Sequence, residues 1–307
     1  MSFGRYRGVS PVPAGGDGAR VLGEGSQSDR VKSRLFKALL LFSLFIGFAT
    51  LIALLIDVAS DGLQKLSWHF LTSFPSSFPA RAGIESPIVG TVFLMLLTAA
   101  FAIPIGVGAA IYLEEYADKE RWYNRAIEVN IQNLAAVPSI VYGILGLAFL
   151  VRGLLGLGQV VLAAAMTLAL LVLPIVIIAS REAIRAVPPS IREAALALGA
   201  TRLQMIRHQL LPAALPGIAT GSILALSRAI GETAPLIMIG AIVFVPFNPT
   251  SLDSAFTALP LQIFNWTTRP QPEFKLLAAA AILVLLALLL TMNAFAIWLR
   301  NRYQRKW

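Results

Sequence analysis

Residues 190–212 read SIREAALALGATRLQMIRHQLLP, and this polar stretch between long apolar runs sets the organisation of the chain. Ser190 and Glu193 fit the S/T-x-x-E capping box, in which a hydroxyl and a carboxylate satisfy free N–H groups of a helix's first turn. Pro188 and Pro189 discourage the preceding helix from running on. Gly199 can adopt positive φ and so end the helix. Thr201 with Gln204 repeats the capping box, and Pro212 marks the next element. The spacing predicts two short helices joined by a tight turn and held between membrane spans. Ala194, Ala195 and Ala197 keep the first helix thin enough for close approach by another protein, while Leu198 and Ile191 give it an apolar edge.

The flanks are hydrocarbon-like. Of the 307 residues 57% are hydrophobic and only 13% charged, against about 25% charged in an average soluble domain. A helix needs about 20 apolar residues to cross a bilayer. By that measure six segments qualify: 35–58, 87–113, 131–151, 158–180, 214–245 and 276–299. The fold class expected is therefore an all-α polytopic membrane protein. Residues 1–34, rich in Gly, Ser and Arg and without hydrophobic periodicity, read as a disordered tail rather than a signal peptide.

Orientation follows from Lys and Arg. With the N-terminus in the cytoplasm, segments 1–37, 114–130, 181–212 and 300–307 carry seven, three, five and four of them, while the outer loops carry four. Both termini and the 190–212 hairpin are thus expected on the cytoplasmic side. The net charge of +9 is topological, so nucleic acid is set aside; a DNA-binding helix-turn-helix has a similar outline but would have no duplex within reach. The chain has no cysteine and only His69 and His208, which excludes thiol chemistry and makes a metal site improbable.

Inside the fifth segment lies a second informative stretch, LALSRAIGETAP at 224–235. Arg at a helix centre costs about 2.5–3.5 kcal/mol on the lenient insertion scale, so Arg228 is expected to face a partner or water. Glu232 is four residues on, hence on the same helix face and able to pair with it. Pro235 cannot donate to the carbonyl of Gly231, which weakens the helix beside Glu232. A guanidinium fork suits a tetrahedral oxyanion, with Ser227 and Thr233 as additional hydroxyls and a half-helix start as a further source of N–H groups. Inorganic phosphate keeps a proton that a carboxylate can accept, whereas sulfate keeps none. A structural ion pair at a subunit interface is the competing reading. Elsewhere, Asn130, Gln132, Asn133, Pro138, Ser139 and Tyr142 in the third segment read as helix packing against protein. Aromatic residues of the two large outer loops, Trp68, Phe70, Phe74 and Phe78 in one and Phe256, Phe264 and Trp266 in the other, read as interface anchors or as a docking surface.

Glu193-Ala194-Ala195, then Gly199 and Leu211-Pro212, resembles the EAA loop of ABC importer permeases, with one departure: Gln209 stands where that family usually has an apolar residue. The stretch 224–235, together with GAAIYLEEY at 108–116, the block 127–147 and TALPLQIFNW at 257–266, is similar to the A-type permease of bacterial high-affinity phosphate ABC importers, the Pst system. This resemblance covers most of residues 85–300. It implies the type I ABC importer permease fold over a transmembrane domain at 35–307, in the bacterial inner membrane. Also implied is a coupling loop in which Arg192, Glu193, Ala194, Ala195, Leu198 and Gly199 dock on a dimeric ATPase, which would hold the ATP and Mg²⁺. Further partners implied are a homologous C-type permease, forming a heterodimer, and an extracytoplasmic phosphate-binding protein, beside membrane lipid. No P-loop motif G-x-x-x-x-G-K-[S/T] occurs in the chain, so no ATP cofactor is expected on this subunit. Alternatives from other classes are an ion-gradient-driven transporter, which would have only Glu232 and Asp57 as intramembrane acids, and a scaffold that reports phosphate supply. Another oxyanion as cargo is the nearest variant.

Overall fold

The computed structural model describes residues 27–118, 120–153, 155–241 and 244–303. Among them the chain forms α1 (Gln27–Gly62), α2 (Trp68–Thr72), α3 (Glu85–Ile111), α4 (Trp122–Ala135), α5 (Ser139–Leu145), α6 (Val161–Arg185), α7 (Pro189–Ala197), α8 (Arg202–Met205), α9 (Leu211–Ile230), α10 (Ala234–Met238), α11 (Leu259–Thr267) and α12 (Pro272–Tyr303), and no strand. Two compact units divide the chain at Ile56 and Asp57, so most of α1 belongs to the first and all later helices to the second. Helix α1 starts at Gln27, ahead of the apolar run that begins at Leu35, so residues 27–34 are helical rather than tail. The rest of the expected tail lies outside the described residues.

Among the described residues five helices are long and apolar enough to cross a bilayer, and the pair formed by 122–135 and 139–151, bent by 108°, makes up a broken sixth. That the pair crosses follows from how its neighbours run. At one end, Ser86 donates to the carbonyl of Val245 (2.6 Å), Leu259 N–H donates to Thr91 (2.9 Å), and Val161 N–H donates to Ser254 (3.0 Å). At the other, Arg181 binds Glu114 at 2.7 Å. Helices α3 and α6 therefore begin together and finish together, and the intervening chain must return across. It does so from Glu128, held by Arg181 at 2.6 Å, to Leu150 and Val151, which pack in one core cluster with Val161. The bend falls at Pro138, which has no N–H for the carbonyl of Leu134; that carbonyl accepts from Val137 N–H at 3.1 Å and from the Tyr142 hydroxyl at 2.9 Å.

The fifth span departs from expectation at both ends. The predicted second short helix is no separate element: residues Arg202–Ile230 form one helix, with a π-turn at Ile206–Leu210 where Leu211 N–H reaches back to Ile206. Pro212 cannot donate to His208, and the one-residue slip takes up that missing bond. At its far end the helix stops at Ile230 instead of Val245. The short α10 follows, and the chain then leaves the bundle as extended loop.

Close packing at the centre rests on small residues. A Cβ added at Gly221 would lie 2.3 Å from Ala179 Cβ, and one at Gly217 would lie 2.7 Å from Ala183 Cβ. The outer loops are likewise more interior than their aromatic content predicted. Trp266, Phe256 and Phe70 are buried, with the Trp266 ring centroid 6.1 Å from Phe70 and 6.3 Å from Phe274. They form a core under the cap rather than interface anchors, whereas Trp68, Phe78 and Phe264 are exposed. In the loop before α11 the Ser251 hydroxyl, 2.5 Å from Asp253, holds that carboxyl below the usual carboxylate range, and the carbonyls of Leu252 and Ser254 accept the first N–H groups of α6.

Because the α6–α9 seam has no room for further atoms, Gly221→Val is expected to destabilise the protein by about 1–3 kcal/mol or more, the range for overpacking. Thermal unfolding in detergent should fall by several degrees, and an unchanged midpoint would contradict the packing.

Candidate functional site: a hairpin and two helix breaks

In the hairpin, Pro188 in extended conformation precedes α7, whose first residue is Pro189. Pro189 supplies a preset φ and lacks only an N–H that no helix start would use. Ser190 therefore sits inside the helix and makes no cap bond, so the predicted Ser190–Glu193 box does not form. The second box does: Gln204 N–H donates to Thr201 Oγ1 (3.3 Å) and Thr201 N–H donates to Gln204 Oε1 (2.8 Å). Between the helices Gly199 has φ +82°, the conformation that favours glycine.

Two faces result. Ile191 and Ala195 pack on a buried cluster that includes Met205, Ile206 and Leu210. Glu193, Ala194 and Ala197 face outward, and Leu198 is 89% exposed beside Leu203 at 66%. Below Leu198 lies a hollow of about 210 Å³ lined also by Gln204, His208 and Gln209. Gln209, the one departure from the EAA pattern, is half-buried at its rim. An exposed apolar tip on a capped, glycine-turned hairpin is a surface shaped for another protein.

Arg192 does not join that face. Its Nε donates to Glu115 at 3.0 Å, and its two Nη groups donate to the carbonyls of Val187 (2.8 Å) and Ile184 (2.7 Å). Nearby, Glu114 receives Arg181 at 2.7 Å and Arg185 at 2.8 Å. Sequence reasoning passed over Glu114, Glu115, Glu128, Arg181 and Arg185. The available signal was the Glu doublet ending one span and an Arg pair four residues apart ending another.

The second part of the site lies where two helices break. Helix α9 stops at Ile230, the chain turns through Gly231, Glu232 and Thr233, and α10 begins at Ala234. Arg228 Nε and Glu232 Oε1 are 3.3 Å apart, so the i,i+4 pairing survives the break. The guanidinium is 48% exposed and the carboxylate 17%, so the cation retains free donors while the anion is sheltered. The other break, between α4 and α5, adjoins this one: a Cβ on Gly143 would lie 2.7 Å from Pro235 Cα and from Met238 Cβ. Ser227 is not drawn in. Its hydroxyl lies 2.7 Å from both the Ile223 carbonyl and Asn293 Oδ1, at the seam with α12. Thr233 occupies the break and its carbonyl accepts Ile237 N–H at 3.0 Å. The expected half-helix is one short turn, and Pro235 supplies no N–H, so its start offers few backbone donors.

Removing the Thr201 hydroxyl with Thr201→Ala should cost about 0.5–2 kcal/mol of local stability, the worth of a cap. Hydrogen exchange at the amides of residues 202–205 should quicken, while that of α6 stays unchanged.

Comparison with known proteins places these features. Residues 102–305 match the family model of binding-protein-dependent transport system inner membrane components. The chain is 32% identical over 268 residues to the phosphate transport system permease protein PstA of Yersinia pestis, covering 87% of this chain and 89% of that one. It is 31% identical over 270 residues to the probable ABC transporter permease protein YqgI of Bacillus subtilis, covering 84% and 91%. Among solved structures, a bacterial ABC transporter involved in the import of the acidic polysaccharide alginate aligns with a TM-score of 0.67 at 20% identity, covering 91% of this chain and 99% of that one. The inward-facing MetNI methionine ABC transporter aligns with a TM-score of 0.59 at 18% identity, covering 71% and 95%. The fold is thus that of type I ABC importer permeases.

Proposed function

Because the chain belongs to the family of binding-protein-dependent transport system inner membrane components, a multi-pass ABC importer permease family, we propose that it moves inorganic phosphate. The observation that carries this reading is the Arg228–Glu232 pair: a guanidinium with free donors beside a sheltered carboxylate, held at a helix break among apolar spans. The guanidinium offers a planar fork to two oxygens of a tetrahedral oxyanion. The carboxylate discriminates, because hydrogen phosphate brings a proton to donate whereas sulfate brings only negative charge. The names of the PstA relatives agree with this assignment.

The Lys and Arg bias puts the hairpin on the cytoplasmic side. There its exposed Leu198 face would seat in a separate dimeric ATPase that binds ATP and Mg²⁺. A homologous C-type permease would complete the pathway across from Arg228, and an extracytoplasmic phosphate-binding protein would deliver cargo at the opposite face. Closure of the ATPase dimer on ATP would push the hairpin and open the path outward; hydrolysis would reset it inward.

Uptake by the co-expressed complex tests the site. Arg228→Gln removes a charge-assisted bond worth about 1.5–3 kcal/mol, so phosphate uptake should fall about 10- to 100-fold while the complex still assembles. Glu232→Gln should narrow the preference for phosphate over sulfate. Wild-type uptake in both variants, or equal uptake of both anions by the wild type, would defeat the assignment.

A further inference from the structure

We propose that Glu115 and Arg192 are positioning residues that join the hairpin to the spans, so that force applied at its tip reaches the pathway; this rests on the ATP-driven reading above. The attachment is more specific than packing requires. The last turn of the second span, Tyr112–Tyr116, is a π-turn, with Ala117 N–H reaching back to Tyr112 at 2.8 Å. Its two adjacent glutamates serve different bodies. Glu114 takes Arg181 and Arg185 of α6, and Arg181 also holds Glu128 of α4 at 2.6 Å, so the second span, α4 and α6 meet at one guanidinium. Glu115 takes Arg192 of α7 at 3.0 Å. Its backbone carbonyl accepts Arg202 of α8 at 3.1 Å, and the same guanidinium lies 5.8 Å from the centre of the Tyr116 ring.

Both arms of the hairpin are therefore fastened to the same five-residue turn that the bundle's ion pairs fasten from the other side. Arg192 does more than pair: its other donors bond the carbonyls of Ile184, in the last turn of α6, and Val187, just beyond it. The Glu114, Arg181 and Glu115 side chains are 4%, 7% and 10% exposed, so ionic strength barely screens them. Losing one partner leaves the other charge buried and uncompensated. A displaced hairpin consequently carries the ends of α3, α4 and α6 with it. The strain then falls on the two places where hydrogen bonding is interrupted, residues 136–138 and 231–233, and the second of these holds Glu232.

The test compares transport with hydrolysis in the reconstituted complex of permeases, ATPase and binding protein. Glu115→Gln keeps the bonds of Arg192 to backbone but weakens the joint. The complex should assemble and hydrolyse ATP, while phosphate moved per ATP falls about fivefold or more, the lower range of coupling between separated sites. Glu115→Asp should be intermediate. Phosphate moved per ATP equal to the wild type would overturn the proposal, since a purely stabilising role lowers transport and hydrolysis together. The chain has no cysteine, so a Glu115→Cys/Arg192→Cys pair offers a second arm independent of Glu115→Gln assembly. A short bifunctional thiol reagent should restore coupling to this pair, and further loss on cross-linking would overturn the joint. Absence of ATP-driven uptake in the wild-type complex would instead bring down the importer reading itself, and the joint with it.

Discussion

A carbonyl that loses its helical donor inside a bilayer has no water to turn to, and that constraint governs where this bundle can bend. Each bend in the structure has a local answer. Val137 N–H and the Tyr142 hydroxyl both donate to the Leu134 carbonyl that Pro138 cannot reach, and a slipped turn at Ile206–Leu210 precedes Pro212. Threonine hydroxyls at positions 91, 98, 167 and 220 all donate back to carbonyls four residues earlier, and those of Thr91 and Thr220 also accept from Leu259 N–H and Arg300. The two real interruptions, at 136–138 and 231–233, lead into α5 and α10, which pack on each other at Gly143, while Ala136, Pro138 and Gly231 themselves are exposed.

Charge is distributed by the same logic. Near the hairpin, arginines and glutamates are saturated: Arg181 and Glu114 are almost wholly buried and each has more than one partner. At the break, Arg228 and Glu232 share one contact at 3.3 Å with the guanidinium half-exposed. A purely structural pair gains by closing, as the first does. The second pair remains open where the backbone is already interrupted, and that difference separates a fastening from a place where a solute can compete for the donors.

Much of this was legible in the sequence because the bilayer makes length and apolarity decisive. Arg228 and Glu232 pair as their spacing implied, and Gly199 and the Thr201–Gln204 box do what short-range sterics and capping demand. The Ser190 box failed because proline at the first helical position outcompetes a hydroxyl one step later. Hydropathy also overran the end of the fifth span: beyond Ile230 the apolar run supplies only the short α10, after which Ala241 and Val245 are buried outside any helix, and composition cannot tell such a segment from a span. The aromatic cap misled for a related reason, since Trp266 and Phe70 find each other across nearly two hundred residues of chain. The ion cluster was out of reach because Glu114, Glu128 and Arg181 come from three separate segments, and only the tertiary fold brings them to one point.

What unites the two halves of the site is a single helix. Residues Arg202–Ile230 run as one helix of 29 residues with a single π-turn, about 43 Å at the α-helical rise, from the second arm of the hairpin to the break that holds Glu232. Arg202 at one end is tied to Glu115, and Arg228 at the other faces the open pair. Along its length the rod meets α6 through Gly217 and Gly221, where there is contact without interlocking side chains. Under the proposed mechanism, a rod seated on such a seam and clamped at its hairpin end would transmit a tilt or rotation as a whole. The nearest compliant point beyond it is then the turn at Gly231, directly beside the carboxylate. Under the proposed mechanism the polar hairpin and the Arg228–Glu232 pair would thereby be the two ends of one mechanical element.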